Sequence, residues 1–413
     1  MRPLPLAAAI AAALLSLAPL PAHAGPETTK ADPETAKVEV FTERGPAGHA
    51  HVAKTSARKA LAAAAVTVTP VEINGPSENR IDIVYLGDGY TSGELGGYAN
   101  QVATSWAKLI SYEPFTNYRK MFNVWRVDIT SPVSGVSGDP TSDVVKDTPL
   151  GTYFWCDGTE RLICVDVNAA KDYAALAPDA DQIAVVANTT KYGGAGYTDD
   201  ELVTFSGGHS LGPEIFPHEL GHSLGDLADE YGGYTTSYTG PEPTAVNVSI
   251  KTAAQMQAQQ RKWYRWLGAA TPDGGVVGTF EGAHYYDRGI YRPSENSMMR
   301  SLQRQFNVVS KEKMIQSFYA VAKPLDSHTS TASRVARGST LTITTLPLSP
   351  LSIKWYVNGT QNTAWNGLTS VTVPSALASG DRISVTVSDL TADVRDPAYQ
   401  GTYLSQTVTW RVR

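Results

Sequence analysis

Two histidines four residues apart, with a glutamate beside the first, constrain this chain more than any other feature: Pro217-His218-Glu219-Leu220-Gly221-His222-Ser223-Leu224-Gly225. On an α-helix, at about 3.6 residues per turn, His218 and His222 share one face, so both imidazoles can reach a single ion about 2 Å from each. Glu219 can then meet a water held by that ion without binding the ion itself. Zn2+ is the expected ion, since it lowers the water's pKa and polarises a scissile carbonyl. Glu219 would take the proton and later hand it to the leaving amine. The five-residue pattern is only moderately specific, because solvated helices carry the same spacing by chance. Gly225, three residues past His222, strengthens it, since a glycine there can end the helix and turn the chain back.

The third ligand has several candidates. Asp226 lies on the same helical face, but a continuing helix would carry it about 12 Å along the axis from His218. Asp229, in Leu227-Ala228-Asp229-Glu230-Tyr231, comes within reach if the chain turns at Gly225, and a carboxylate is a competent zinc ligand. His209, His284 and Glu242 compete, each with an ordinary surface or core reading; Glu242 sits between prolines rather than on a helix. Asp229 is the favoured choice.

The rest of the chain places this helix in a larger design. At 413 residues, 42% hydrophobic and 18% charged, it can bury a sizeable core and form two domains. A net charge of -6 without a long Lys/Arg block gives no reason to expect nucleic acid as a partner. Arg2, the apolar run Leu6 to Leu20 and the small residues of Pro21-Ala22-His23-Ala24 read as a secretory signal over 1–24, with an uncleaved anchor as the alternative. Export to the medium or periplasm follows, with no later membrane span. Cys156 and Cys164, around an Asp157-Gly158 turn, suit a small disulfide loop in that compartment.

Residues 25–70 are Ala-, Lys-, Glu- and Pro-rich and read as a linker or propeptide-like segment. His49 and His51 lie there and could touch the metal of a latent form; their composition favours solvated histidines in a flexible stretch. From Ile81 the pattern becomes regular. Ile81–Leu86, Phe122–Ile129 and Ile183–Ala187 read as strands, and Leu95, Tyr98, Val102, Trp106 and Leu109 fall at helical spacing. An α/β (α+β) domain with a mixed sheet over 71–323 is expected. The glycines of Tyr192-Gly193-Gly194-Ala195-Gly196-Tyr197 lack the order of a phosphate loop and read as flexible backbone that a substrate approaches. After Pro324 several short period-two runs predict a β-sandwich of about 85 residues over 324–413.

At residues 218 to 231, His-Glu-Leu-Gly-His-Ser-Leu-Gly-Asp-Leu-Ala-Asp-Glu-Tyr, the chain resembles the M64 peptidases, the family named for bacterial immunoglobulin A metalloendopeptidase. The resemblance extends to Ile83–Thr91, to the Cys156–Asp166 segment, and from Phe280-Glu281-Gly282-Ala283 through Gly289–Ser294 to Met298-Met299-Arg300. It spans roughly residues 80 to 323. It implies a metzincin-like domain with a methionine turn beneath the metal, best matched by Met299 with Met298 as alternative, and a polypeptide substrate. The chain also departs from the pattern. A metzincin third ligand would fall at Ala228, and cysteines that family members often carry are replaced near Ser297 and in Phe306–Ser310. The stretch before residue 70 is also short for an N-terminal domain.

A secreted zinc endopeptidase acting on a polypeptide or glycoprotein is therefore the expected function, with Tyr231, Tyr285, Tyr291 or Arg300 available to assist the oxyanion. Two other readings remain. A zinc amidase acting on cell-wall peptides or glycoproteins would be separated by comparing casein with peptidoglycan. A surface-binding protein with a vestigial metal helix and an immunoglobulin-like module would bind zinc and hydrolyse nothing.

Overall fold

The apolar run at Ile81 is buried along its whole length, as a central strand covered on both faces must be. The structure, a computed structural model, describes residues 35–43, 45–53 and 66–413, so the expected signal segment at 1–24 lies outside it. The strand belongs to an eight-stranded sheet of β1 (Thr35–Thr42), β2 (Gly45–Ala53), β3 (Val66–Glu72), β4 (Ile81–Asp88), β5 (Phe122–Ile129), β6 (Gln182–Ala187), β7 (Gly194–Tyr197) and β8 (Leu202–Ser206). Their order is β2-β1-β7-β8-β6-β4-β5-β3. The central β8, β6, β4 and β5 run parallel, while β7 and β3 flank them antiparallel.

Seven helices occur among the described residues: α1 (Leu95–Leu109), α2 (Phe115–Tyr118), α3 (Val167–Ala174), α4 (Ile215–Ser223), α5 (Ala253–Gln259), α6 (Val308–Val321) and α7 (Pro397–Thr402). Helix α1 buries Tyr98, Val102, Trp106 and Leu109, the stripe that its sequence spacing predicts. With α4 and α6 it packs on one sheet face against Ile83, Tyr85, Val124 and Phe205. Helix α3, capped by Asp166, covers the other face with Cys156, Leu162 and Cys164, against Val84, Leu86 and Val185. Cys156 and Cys164 are disulfide-bonded.

Residues 35–42 and 45–53, in the segment expected as a linker or propeptide-like stretch, form a hairpin that continues the sheet. β1 pairs antiparallel with β7 through Glu39↔Gly196 and Val40↔Ala195. The period-two pattern of Val38-Glu39-Val40-Phe41 explains why. Val38 and Val40 enter the α3 face, while Phe41 enters the opposite core with α4.

A smaller sheet, β9 (Tyr234–Ser237), β10 (Phe280–Ala283) and β11 (Tyr286–Arg292), follows α4. Beyond it β12 (Leu325–His328), β13 (Thr340–Thr345) and β16 (Ser370–Thr372) form one antiparallel sheet. A second contains β14 (Leu351–Val357), β15 (Thr360–Gln361), β17 (Arg382–Asp389) and β18 (Ser405–Arg411). The two share an apolar core in which Trp355 and Trp410 stack at 5.8 Å. Arg80, fully buried, ties this region to the main sheet by two hydrogen bonds to Asp326, at 2.6 and 2.9 Å. No helix among the described residues is long and apolar enough to cross a membrane.

Candidate metal centre

Helix α4 begins after a short turn at Gly212–Glu214 and buries Ile215 through Gly221. It can pack this tightly because its neighbours lack side chains. A Cβ at residue 194 would stand 2.5 Å from Ile215 Cδ1, and one at residue 196 would stand 1.6 Å from Glu219 Oε2. The glycines expected to give flexible backbone are therefore held in β7, where they admit the protein's own helix.

The helix ends in a tight reversal. Gly225 N and Leu224 N both donate to Leu220 O, Asp226 N to His222 O, and Leu227 N to Gly221 O. The left-handed residue is Asp226, with φ of 48°, rather than the expected Gly225. Gly225 is needed for space, since a Cβ there would lie 2.5 Å from both Gly221 O and Met314 Sδ. Asp tolerates the left-handed region better than most residues. The reversal sends Asp226 outward to Lys313, at 2.8 Å, and returns Asp229 to the helix.

His218, His222 and Asp229 converge. Their donor atoms, with one oxygen of Glu39, all lie within 4.8 Å of one another. His218 Nε2 and His222 Nε2 are 3.1 Å apart, and each is 3.3 Å from Asp229 Oδ1. Glu39 Oε2 is 3.0 Å from His218 Nε2 and 3.2 Å from His222 Nε2. Four donors held at about 2.0–2.1 Å in a tetrahedron would stand about 3.3–3.4 Å from one another. The observed edges are close to that figure.

The imidazoles are aimed from behind. His218 Nδ1 donates to Met298 O at 2.9 Å, and His222 Nδ1 to Leu227 O at 2.7 Å, leaving both Nε2 atoms facing the centre. Two Nε2–H groups cannot point at each other across 3.1 Å, and bare nitrogens would crowd their lone pairs against two carboxylates. A single cation resolves both conflicts. The same electrostatics shape the titration. Burial alone would lower His218, but Glu39 and Asp229 overcome it and push its pKa up to about 10. Burial opposes the charge of Asp229, and His222 and His218 outweigh it, holding that carboxyl well below its usual range.

Glu219 is buried beside this centre, and neither of its carboxylate oxygens has a hydrogen-bond partner. Burial first, then the Glu39 charge, push it well above the ordinary carboxylate range. Met299 lies below: its Sδ would be 2.4 Å from a Cβ at Gly221, between the two histidine positions, and Met298 supplies the carbonyl for His218.

Other expected residues are distributed unevenly. Tyr231 Oη donates to Glu39 Oε1 at 3.0 Å, and Tyr285 Oη donates to Asp229 Oδ2. His49, in β2 opposite Glu39 rather than in a flexible stretch, stacks edge-on against Tyr285 with ring centroids 5.1 Å apart. His51 is exposed. Tyr291 lies six residues past Tyr285, paired with Glu281 and Ser249 instead of the cluster. Arg300 bonds Glu295 O, His209 packs at a tilt against Tyr192, and Glu242 accepts from Ser249. His284 bonds through its backbone to Asp229 O.

Two buried carboxylates escaped the sequence reading. Glu39 was hidden in the segment taken as linker; its signal was the Val38/Val40 alternation around it. Glu230, fully buried, accepts from Asn247, Ser297 and Asn307, and its backbone N–H donates to Met299 O at 2.7 Å. It thereby ties the reversal after α4 to the Met298-Met299 segment. Ser297, just before that segment, is one of its donors.

The protein is thus a mixed α/β molecule whose buried His/His/carboxylate group could hold a metal ion, flanked by a glutamate without a hydrogen-bond partner. The IgA peptidase M64 family model matches residues 69–273 and 269–318, more than half of the chain, and the chain belongs to that family. Membership implies metallopeptidase activity on a polypeptide substrate. No curated protein matches the chain.

Proposed function

We propose that this protein is a secreted zinc endopeptidase in which His218, His222 and Asp229 hold the ion and Glu219 is the general base. The observation that carries the reading is the convergence of three donor atoms at 3.1 to 3.3 Å beside a buried, unpaired carboxylate. Zinc in this group would polarise the scissile carbonyl and acidify a water. Glu219, with its raised proton affinity, takes the proton of the attacking water and delivers it to the departing amine. Tyr285 fixes Asp229 through its hydroxyl, and Tyr231 stands near enough to donate to a developing oxyanion. Met299 serves as the methionine turn of a metzincin-like fold, supported by its seat against Gly221. The edge of β7 that β1 covers would suit an extended polypeptide adding as a strand.

Export by residues 1–24 is supported by the small-residue cleavage pattern and by the Cys156–Cys164 disulfide. The two C-terminal sheets are read as an immunoglobulin-like module over 324–413. The test is zinc content and casein hydrolysis, with and without 1,10-phenanthroline. Glu219→Ala should keep one zinc per chain and lose turnover by about 100-fold or more. Zinc binding with casein and every other protein left intact, in the processed as in the full chain, would contradict the reading.

A further inference from the structure

Glu39 is a buried charge to which the hydrolytic scheme gives no task. Its Oε2 lies 3.0 and 3.2 Å from the two histidine Nε2 atoms and its Oε1 accepts from Tyr231, so both oxygens are committed to the metal centre. It arrives on β1, the strand that covers the outer edge of β7. Resting on the peptidase reading above, we propose that the hairpin Thr35–Ala53 is an internal inhibitor, with Glu39 as a fourth ligand closing the centre to substrate.

Three observations meet in this hairpin. Catalytic zinc sites keep three protein ligands and one open position, whereas four protein ligands make a closed site; Glu39 Oε2 fills the position that reaction requires. β1 occupies the antiparallel pairing that an added strand of substrate would use. The inhibitor carboxylate is also in register with Gly196, the residue over which Glu219 lies, so strand, carboxylate and general base are superimposed at one point. Phe41, buried with its ring centroid 5.5 Å from that of His218, seats the strand two residues further on.

The hairpin is held more by its buried Val38, Val40 and Phe41 than by its ladder to β7. β1 is in register with β7 over two residue pairs, against five between β6 and β8. Its loss would uncover the ion, the β7 edge and the Tyr231 hydroxyl together.

The test uses the full chain, its mass checked to include residues 35–53, loaded with Co2+, which takes the same nitrogen and oxygen ligands and has a visible spectrum. The wild type should give little spectral response to acetohydroxamate, a small metal-binding probe. Glu39→Ala should bind it at least about tenfold more tightly and hydrolyse casein at least about tenfold faster in its zinc form. Val40→Asp, which loosens the hairpin from the α3 face with Glu39 intact, should move both readouts in the same direction; thermal melts confirm that each variant is folded. Glu39→Ala that takes up hydroxamate without hydrolysing any protein supports the inhibitory contact while removing the peptidase reading. Wild type and Glu39→Ala with equal hydroxamate affinity, whether both bind or both refuse, overturn the inhibitor proposal. Chelator-sensitive hydrolysis by that intact wild type would leave the peptidase reading standing.

Discussion

At the scale of single residues, the centre depends on what is absent as much as on what is present. Gly196 gives Glu219 its place, because any side chain there would occupy the carboxylate's volume. Introduced beside Glu39→Ala, which opens the centre, Gly196→Ala should therefore retain one zinc per chain while kcat/KM for casein falls by about 100-fold, since a misplaced base forfeits its near-attack geometry. Metal analysis beside steady-state kinetics checks this, and an unchanged kcat/KM would show that Glu219 is not the working base. The His218/Glu219/His222 pattern was readable because a helix fixes which side chains share a face. Asp229 was readable only on the assumption of a turn, and the structure makes that turn through Asp226 in the left-handed region. The Val38/Val40 alternation marks Glu39 as a strand residue, but the roles of Glu39 and Glu230 come from the company that distant segments bring: Tyr231 for one, Asn247, Ser297 and Asn307 for the other.

At the scale of elements, local pattern carried β4, β5, β6 and α1 well, because each buries its apolar residues at its own period. The hairpin was missed for a compositional reason. Its alternating core is four residues long and flanked by Lys, Glu and Ala, so its burial is decided by the β7 edge it meets rather than by its own apolarity. The glycines of β7 misled for the same reason, their use being set by α4. The start of β6 offers a test of element packing. Asp181 accepts from Asp82 N at 2.7 Å, tying this start to β4. Burial, helped by the charges of Asp179, Asp82 and Glu201 and opposed by that N–H, raises its pKa to about 6. A carboxyl whose folded pKa is raised binds its proton more tightly when folded. That contribution is complete below its unfolded value, about 3.9, and is lost as pH rises through about 6. Asp181→Asn keeps an acceptor for Asp82 N without the charge. It should raise Tm at pH 7.5 and give no gain at pH 3.5; equal effects at both pH values would exclude titration of Asp181 as the cause.

Across the whole molecule, the C-terminal sheets are docked by specific polar contacts rather than merely tethered. Arg80, without exposed surface, meets both oxygens of Asp326, and Tyr118 and Tyr319 both donate to Asp389, at 2.7 and 2.9 Å. Removing Asp326 strands a buried guanidinium, so Asp326→Ala should destabilise the protein by about 3 kcal/mol in urea unfolding. A change below about 0.5 kcal/mol would mean that the contact behaves as an ordinary surface pair. The short period-two runs after Pro324 correspond to β13, β14, β16, β17 and β18. The docking was not legible in the sequence, because Arg80 and Asp326 are 246 residues apart and neither has a local pattern to mark it.

The identity of the ligands underlies all of this, and zinc K-edge X-ray absorption of the reconstituted protein addresses it most directly. The expected shell is nitrogen and oxygen alone at about 2.0–2.1 Å, with the outer scattering of two imidazoles and one carboxylate fewer in Asp229→Ala. Sulfur at about 2.3 Å, or a shell that the Asp229 substitution leaves unaltered, would contradict it.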